Sequence, residues 1–319
     1  MNIAFVFPGQ GTQHVGMGKE LYREFPAVRN AFDRAAEILG FDVAHLCFEG
    51  PQKELDLTVN TQTAILTMEM ALHNLIKDTL SIKPKIMAGH SLGEYCALYA
   101  AGAIDFTDAL NTVKARAVYH QEAVPVGEGA MAAIIGLDYD DVRQICLAVK
   151  EKEEIVGVSV LNAPKQLSIS GHTAAVEKVM AKAKEKKALS VIKLPISVPC
   201  HCSLLDNASE RLRLVLNRIN FHDLQIPVIP NCDPDVFYTK ENARDLLQRQ
   251  IKSPVRWQET VEKMAVLGID TIVEIGPKKT LSGLIKRIDK RFQLLNIGDP
   301  DSFRRAQDFL VMIEGPKHS

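Results

Sequence analysis

Short apolar runs alternate along this chain with longer stretches in which apolar positions recur every three or four residues, the pattern of strands alternating with helices. Ile3 to Phe7 is an unbroken apolar run stopped by Pro8-Gly9, which predicts a buried strand. Thr61 to Lys77 sets Ala64, Ile65, Met68, Ala71, Leu72 and Leu75 at helical spacing. Ile86 to Ala88 is again strand-like, and helices are predicted from about Glu94 to Ala101 and from about Phe106 to Glu122. The alternation argues for an α/β fold with a largely parallel sheet.

From about Ala130 to Leu194 the rhythm changes. Met131 to Ile135 reads as a strand, Tyr139 to Lys150 as a helix, Val156 to Leu161 and Gln166 to Ser170 as two strands, Ala174 to Lys186 as a helix and Ser190 to Leu194 as a strand. That β-α-β-β-α-β order predicts a ferredoxin-like unit inserted into the larger domain. Pro125-Val126-Gly127 and Pro195 to Pro199 bound it, so residues 1–125 and 198–319 are expected to form the large domain and 126–197 the small one. Beyond Pro199 the α/β pattern resumes, with helices near Asn207 to Leu216, Asn242 to Gln250 and Trp257 to Leu267, and strands at Pro227 to Ile229 and Thr271 to Ile275. The polar tail after Glu314 is expected to fray.

Composition narrows the function. The 319 residues are 46% hydrophobic, enough for a substantial core. Basic and acidic residues nearly cancel, 38 against 39, so no long-range field points to nucleic acid or an anionic membrane surface. No run approaches the roughly 18 apolar residues of a membrane span. The apolar start at Asn2 to Phe7 lacks the basic flank and length of a leader, so an unprocessed chain is expected. Six scattered cysteines fit a reducing cytoplasm better than a disulfide scaffold.

Gly89-His90-Ser91-Leu92-Gly93 satisfies G-x-S-x-G between a predicted strand and a predicted helix, the setting of a nucleophile elbow. Such a turn crowds the backbones on either side of the serine, and Gly89 and Gly93 supply the missing side chains. The helix N-terminus beside Ser91 offers amide donors to a developing oxyanion. The setting favours a catalytic serine over a glycine-rich turn, with His90 as a packed elbow residue.

A serine hydroxyl needs a base, and nine histidines compete. His14, His45, His73, His120, His172, His222 and His318 lie in helix, loop or tail contexts without a site pattern, whereas His201 follows a segment stiffened by Pro195 and Pro199. Cys200-His201-Cys202 lacks the paired spacing of structural zinc. Gly9-Gln10-Gly11 lacks the third glycine of a dinucleotide loop, His14 standing in its place.

Taken together, Phe5 to Gly11, Gly89 to Tyr95, Arg116, Met131 to Gly136, Ser197 to His201, Gln250 to Trp257 and Glu274-Ile275-Gly276-Pro277 resemble, in order and over nearly the whole chain, the malonyl-CoA:acyl-carrier-protein transacylases and related acyltransferase domains of fatty-acid and polyketide synthesis. The resemblance implies a hydrolase-like α/β domain carrying the ferredoxin-like insert. It implies Ser91 as nucleophile and His201 as its base, the imidazole being oriented by a main-chain carbonyl near Gln250. The Gln10 and Leu92 amides would form the oxyanion hole, with Arg116 and Gln250 at the substrate. Arg116 alone reads as one residue on a helix face; by resemblance its guanidinium fork receives the malonyl carboxylate.

No cofactor is implied, malonyl-CoA being a substrate. The implied partner is acyl carrier protein, and a monomer is expected. Lys278, Lys279, Lys286, Arg287, Lys290 and Arg291 are either a dock for that acidic carrier or a solvated face. Cys200 stands where serine is more usual, which leaves methylmalonyl tolerance open. A serine hydrolase shares G-x-S-x-G and is the rival reading, with Arg116 as the discriminator; a non-enzymatic docking scaffold is disfavoured by the co-occurrence of Ser91, His201, Gln10 and Arg116.

Overall fold

The computed structural model describes residues 1–80, 82–125, 127–149, 154–196 and 198–314, and its described strands form two sheets. The strands are β1 (Ile3–Phe7), β2 (Ile86–Gly89), β3 (Gly129–Ile135), β4 (Val156–Ala163), β5 (Gln166–His172), β6 (Ser190–Lys193), β7 (Val228–Ile229), β8 (Thr271–Ile275) and β9 (Gln293–Ile297). The larger sheet has the order β7-β2-β1-β8-β9, and every pairing in it is parallel.

Central position explains the unbroken apolar runs. All five residues of β1 and of β8 are buried, because helices cover both faces of a parallel sheet. Within β1 the period of two sorts the side chains: Ile3, Phe5 and Phe7 join the core under the Thr58–Thr79, Gly93–Ala100 and Phe106–Ala123 helices. Ala4 and Val6 face the opposite core, with Trp257, Val261, Leu284 and Ile285.

The second sheet is antiparallel, in the order β4-β5-β3-β6. With its helices Tyr139–Val149 and Thr173–Glu185, it has the β-α-β-β-α-β order and strand arrangement of the ferredoxin-like unit read from the sequence. Ala130, Ala132 and Ile134 of β3 pack beneath those helices. Met131 points the other way, into the core shared with Val160, Val255 and Trp257. One face of the small sheet is thereby seated on the large one beside the Gly89 to Gly93 turn.

Several elements were not anticipated: the helices Lys19–Glu24, Pro26–Leu39 and Val43–Glu49, the edge strand β9 and the helix Pro300–Glu314. Val126 and Ser197, where the expected domain boundaries fall, lie outside the described residues, as do Lys150 and the tail after Glu314.

Candidate active site

β2 ends at Gly89 and the next helix begins at Gly93, so the chain reverses in three residues. A Cβ on Gly89 would lie 1.9 Å from the Gly93 carbonyl carbon, and one on Gly93 would lie 2.1 Å from the Phe7 carbonyl oxygen. Glycine is therefore required at both places. Ser91 takes φ 52°, a left-handed conformation that costs a non-glycine residue about 1–3 kcal/mol and persists only where surrounding bonds hold it. Here Asn231 holds it: its Oδ1 accepts from the Ser91 N–H over 2.6 Å and its Nδ2 donates to the Gly89 carbonyl over 2.7 Å.

His201 meets this turn from the segment between β6 and the Asp206–Leu216 helix. Its Nε2 lies 2.7 Å from Ser91 Oγ, and its Nδ1 lies 2.9 Å from the Gln250 main-chain carbonyl oxygen. A carbonyl can only accept, so Nδ1 carries the proton, Nε2 is the free acceptor and the serine hydroxyl donates to it. Burial, followed by the nearby Arg116 charge, pushes the His201 imidazole down to about 3. The ring is thus held neutral, with Nε2 unprotonated toward Ser91 Oγ. His90, in contrast, packs on Trp257 at 5.5 Å between centroids and pairs through Nε2 with Asn162 Oδ1 at 3.0 Å, as an elbow residue should.

Arg116 reaches the same hydroxyl. It is 2% exposed, and its Nη2 donates to Ser91 Oγ over 3.1 Å and to Gln250 Oε1 over 3.2 Å, while Nη1 donates to Gln62 Oε1 over 2.6 Å. Among the described residues no carboxylate forms an ion pair with it, and its Nε has no partner. A buried guanidinium held by neutral amides retains its charge for a ligand, and a carboxylate matches its fork.

Behind these groups Glu94 is wholly buried. Its Oε1 accepts from the Asn231 N–H over 2.8 Å and from Tyr238 Oη over 3.0 Å, and its Oε2 accepts from Gln250 Nε2, which also donates to the Ser91 carbonyl over 2.8 Å. Burial pushes the Glu94 carboxyl up to about 7 against the lowering by these donors and by Arg116.

Gln10 follows β1 in a loop pressed against the elbow: His90 N–H donates to the Phe7 carbonyl over 2.9 Å, and a Cβ on Gly9 would lie 2.5 Å from the His90 carbonyl oxygen. The Gln10 side chain donates to Thr58 Oγ1 over 3.4 Å. The Gln10 and Leu92 N–H groups donate to no acceptor among the described residues, whereas the Ser91 N–H is taken by Asn231.

The structure thus brings Ser91, His201, Arg116 and Gln250 into direct contact and sets Gln10 and Leu92 beside them. Sequence reasoning passed over Glu94, Asn231, Gln62 and Tyr238. It also found no site around His120, which is buried with Nδ1 3.9 Å from Cys200 Sγ and is pushed well below the usual imidazole range by burial, then by Arg116 and His201. Of the two cysteines flanking His201, Cys202 is buried and Cys200 partly so. Among the described residues no group of three or more His, Cys, Asp or Glu could hold a metal ion, and no helix is long and apolar enough to cross a membrane.

Known proteins share this architecture. The family described as "Acyl transferase domain" matches residues 4–293. The malonyl CoA-acyl carrier protein transacylase of Bacillus subtilis strain 168 is 44% identical over 304 residues, covering 95% of this chain and 96% of that protein. Its counterpart from Escherichia coli K12 is 42% identical over 303 residues, covering 95% and 98%. The solved structure of the malonyl CoA-acyl carrier protein transacylase from Coxiella burnetii superposes with a TM-score of 0.94 at 41% identity, covering 97% of this chain and 98% of that one. A malonyl-transacylase solved in complex with a type II PKS acyl-carrier protein gives a TM-score of 0.94 at 40% identity, covering 97% and 100%. With the match spanning both sheets and every residue of the Ser91 site, this chain belongs to the acyl transferase domain family and, within it, to the malonyl CoA-acyl carrier protein transacylases.

Proposed function

We propose that this chain transfers a malonyl group from malonyl-CoA to the phosphopantetheine thiol of an acyl carrier protein, through an ester on Ser91. The observation that carries the reading is the pair of contacts at one oxygen: Ser91 Oγ meets His201 Nε2 at 2.7 Å and Arg116 Nη2 at 3.1 Å. A base and a carboxylate receptor on the same hydroxyl fit an acyl donor that ends in a carboxylate.

His201 Nε2 takes the hydroxyl proton as Ser91 Oγ attacks the thioester carbonyl, and the free amides of Gln10 and Leu92 receive the oxyanion. The C–S bond breaks, and the departing CoA sulfur takes the proton from His201. The malonyl ester remains on Ser91, its free carboxylate on the Arg116 fork. A carrier thiol then gives its proton to His201 and attacks the ester carbonyl; the C–O bond breaks and Ser91 recovers the proton, which is a ping-pong cycle. The imidazolium formed in each half-reaction is stabilised by the Gln250 carbonyl at 2.9 Å, so the cycle needs no carboxylate on the ring. Binding the malonyl carboxylate offsets the Arg116 charge and so raises His201 toward the range of a working base.

A serine hydrolase has no use for a buried, carboxylate-free Arg116. The exposed Lys286 and Arg287, on the Thr280–Ile288 helix, suit the acidic carrier as a dock. The test is intact and peptide mass spectrometry after incubation with malonyl-CoA. A malonyl adduct on Ser91, discharged by holo-carrier and absent from Ser91→Ala, is expected; an adduct that persists in Ser91→Ala refutes the reading.

A further inference from the structure

Among the described residues the imidazole of His201 has no carboxylate partner, yet a wholly buried carboxylate lies one residue further out, hydrogen-bonded to Gln250. We infer that Glu94 is a positioning residue for recognition of the acyl carboxylate: it fixes which way the Gln250 amide faces and so keeps Gln250 Oε1 turned toward Arg116. The inference rests on the transferase reading above.

A side-chain amide can present either its oxygen or its NH2 to a neighbour, and only the groups around it decide. On one side of Gln250 stand two acceptors, Glu94 Oε2 and the Ser91 carbonyl oxygen at 2.8 Å. On the other stands a donor, Arg116 Nη2 at 3.2 Å. Turning the amide over would set its NH2 against the guanidinium and its oxygen against the carboxylate and the carbonyl. Glu94 is itself held by donors from separate segments, the Asn231 N–H at 2.8 Å and Tyr238 Oη at 3.0 Å, so its carboxylate cannot swing away without leaving them unpaired.

The placement has a chemical logic. A carboxylate in direct contact with Arg116 would occupy the fork and compete with the acyl carboxylate. One amide removed, Glu94 leaves the fork to neutral oxygens alone, those of Gln62, Gln250 and Ser91. Asn231 ties the same carboxylate to the Ser91 turn, so the acyl receptor and the nucleophile share one anchor.

The test compares Ser91 acylation by malonyl-CoA and by acetyl-CoA in the native chain and in Glu94→Gln. The variant has the same shape and can keep a carbonyl oxygen for Asn231 and Tyr238, but it places an NH2 against Gln250 Nε2, so the Gln250 amide is driven to turn over. The malonyl-to-acetyl ratio of kcat/KM is expected to fall roughly tenfold or more, the size of one hydrogen bond to a charged group, with acetylation of Ser91 retained. Gln250→Ala keeps the main-chain carbonyl under His201 but removes the side-chain bonds to Glu94, the Ser91 carbonyl and Arg116 together; a fall in the malonyl-to-acetyl ratio is expected, and it carries the test should Glu94→Gln not fold. An unchanged ratio in either folded variant overturns the inference, as does an equal loss for both substrates, which is all that a merely structural role would give. Absence of malonyl-Ser91 in the native chain would instead remove the transferase reading itself, and this inference with it.

Discussion

Arg116 Nη2 donates to Ser91 Oγ over 3.1 Å, so the residue expected to receive the substrate's carboxylate touches the atom expected to attack its thioester. The two ends of a malonyl group are only a short chain apart, and a receptor in contact with the nucleophile matches that length. Arg116→Ala is expected to lower kcat/KM for malonyl-CoA by about 2–5 kcal/mol, the range for truncating one partner of a buried charged contact, while acetyl-CoA is affected far less. Arg116→Lys should not restore malonyl transfer, because an ammonium cannot present two parallel bonds to a carboxylate in the fixed geometry of a guanidinium. Steady-state rates with both thioesters check this, and equal rates for the two in the native chain would contradict it.

The imidazole of His201 is held down to about 3, first by burial and then by Arg116. A lowered value means that the ring stays neutral as pH falls through the ordinary histidine range and protonates only in stronger acid. In a histidine-labelled NMR titration, the His201 ring signals are expected to show no midpoint near 6.5 and to remain those of the Nδ1–H tautomer above about pH 5. Saturation with malonate, which can occupy the Arg116 fork, should move the His201 midpoint upward. A midpoint at 6.5 in the free protein would count against the geometry.

Glycine at the elbow is a steric demand. A Cβ at Gly93 would sit 2.1 Å from the Phe7 carbonyl oxygen, a backbone atom of the central strand that cannot yield cheaply. Gly93→Ala is expected to cost about 3 kcal/mol or more in urea unfolding. Gly283, inside the Thr280–Ile288 helix, has nothing within 4 Å of its would-be Cβ, so Gly283→Ala should stabilise by about 0.5–1 kcal/mol. Similar costs at the two positions would argue against the elbow packing.

The exposed Lys286 and Arg287 supply a test of carrier docking. Reversing both to Glu is expected to raise KM for the carrier severalfold at low salt, with the difference shrinking as salt is added, and to leave KM for malonyl-CoA unchanged. No change in KM for the carrier would place the dock elsewhere.

Much of this was legible in the sequence because the signals are local. The elbow announces itself through Gly89 and Gly93 on either side of Ser91, and the small sheet through its strand and helix order. The Pro26–Leu39 helix was not read, although Val28, Ala31, Phe32, Ala35 and Leu39 carry the helical period into the core. Strand β9 is short and half-exposed at a sheet edge, where the apolar signature is weakest. Glu94, Asn231 and Tyr238 were missed for a different reason: they meet across more than 130 residues, and no local spacing reports such a contact. Asn231 left one faint trace, a polar residue just past the buried β7, where a solvent-facing loop would be the ordinary expectation.

Chain order has a consequence for synthesis. Ser91 precedes His201 by 110 positions and Gln250 by 159, and β1 acquires its second neighbour, β8, only at Thr271–Ile275. A nascent polypeptide leaving the ribosome therefore exposes Ser91 long before His201 can take its proton or the Gln250 carbonyl can orient that imidazole. An unfinished chain that stops short of Gln250 thus carries the serine without the set of contacts that activates it, and the assembled site belongs only to a chain that has folded its last third back onto the first.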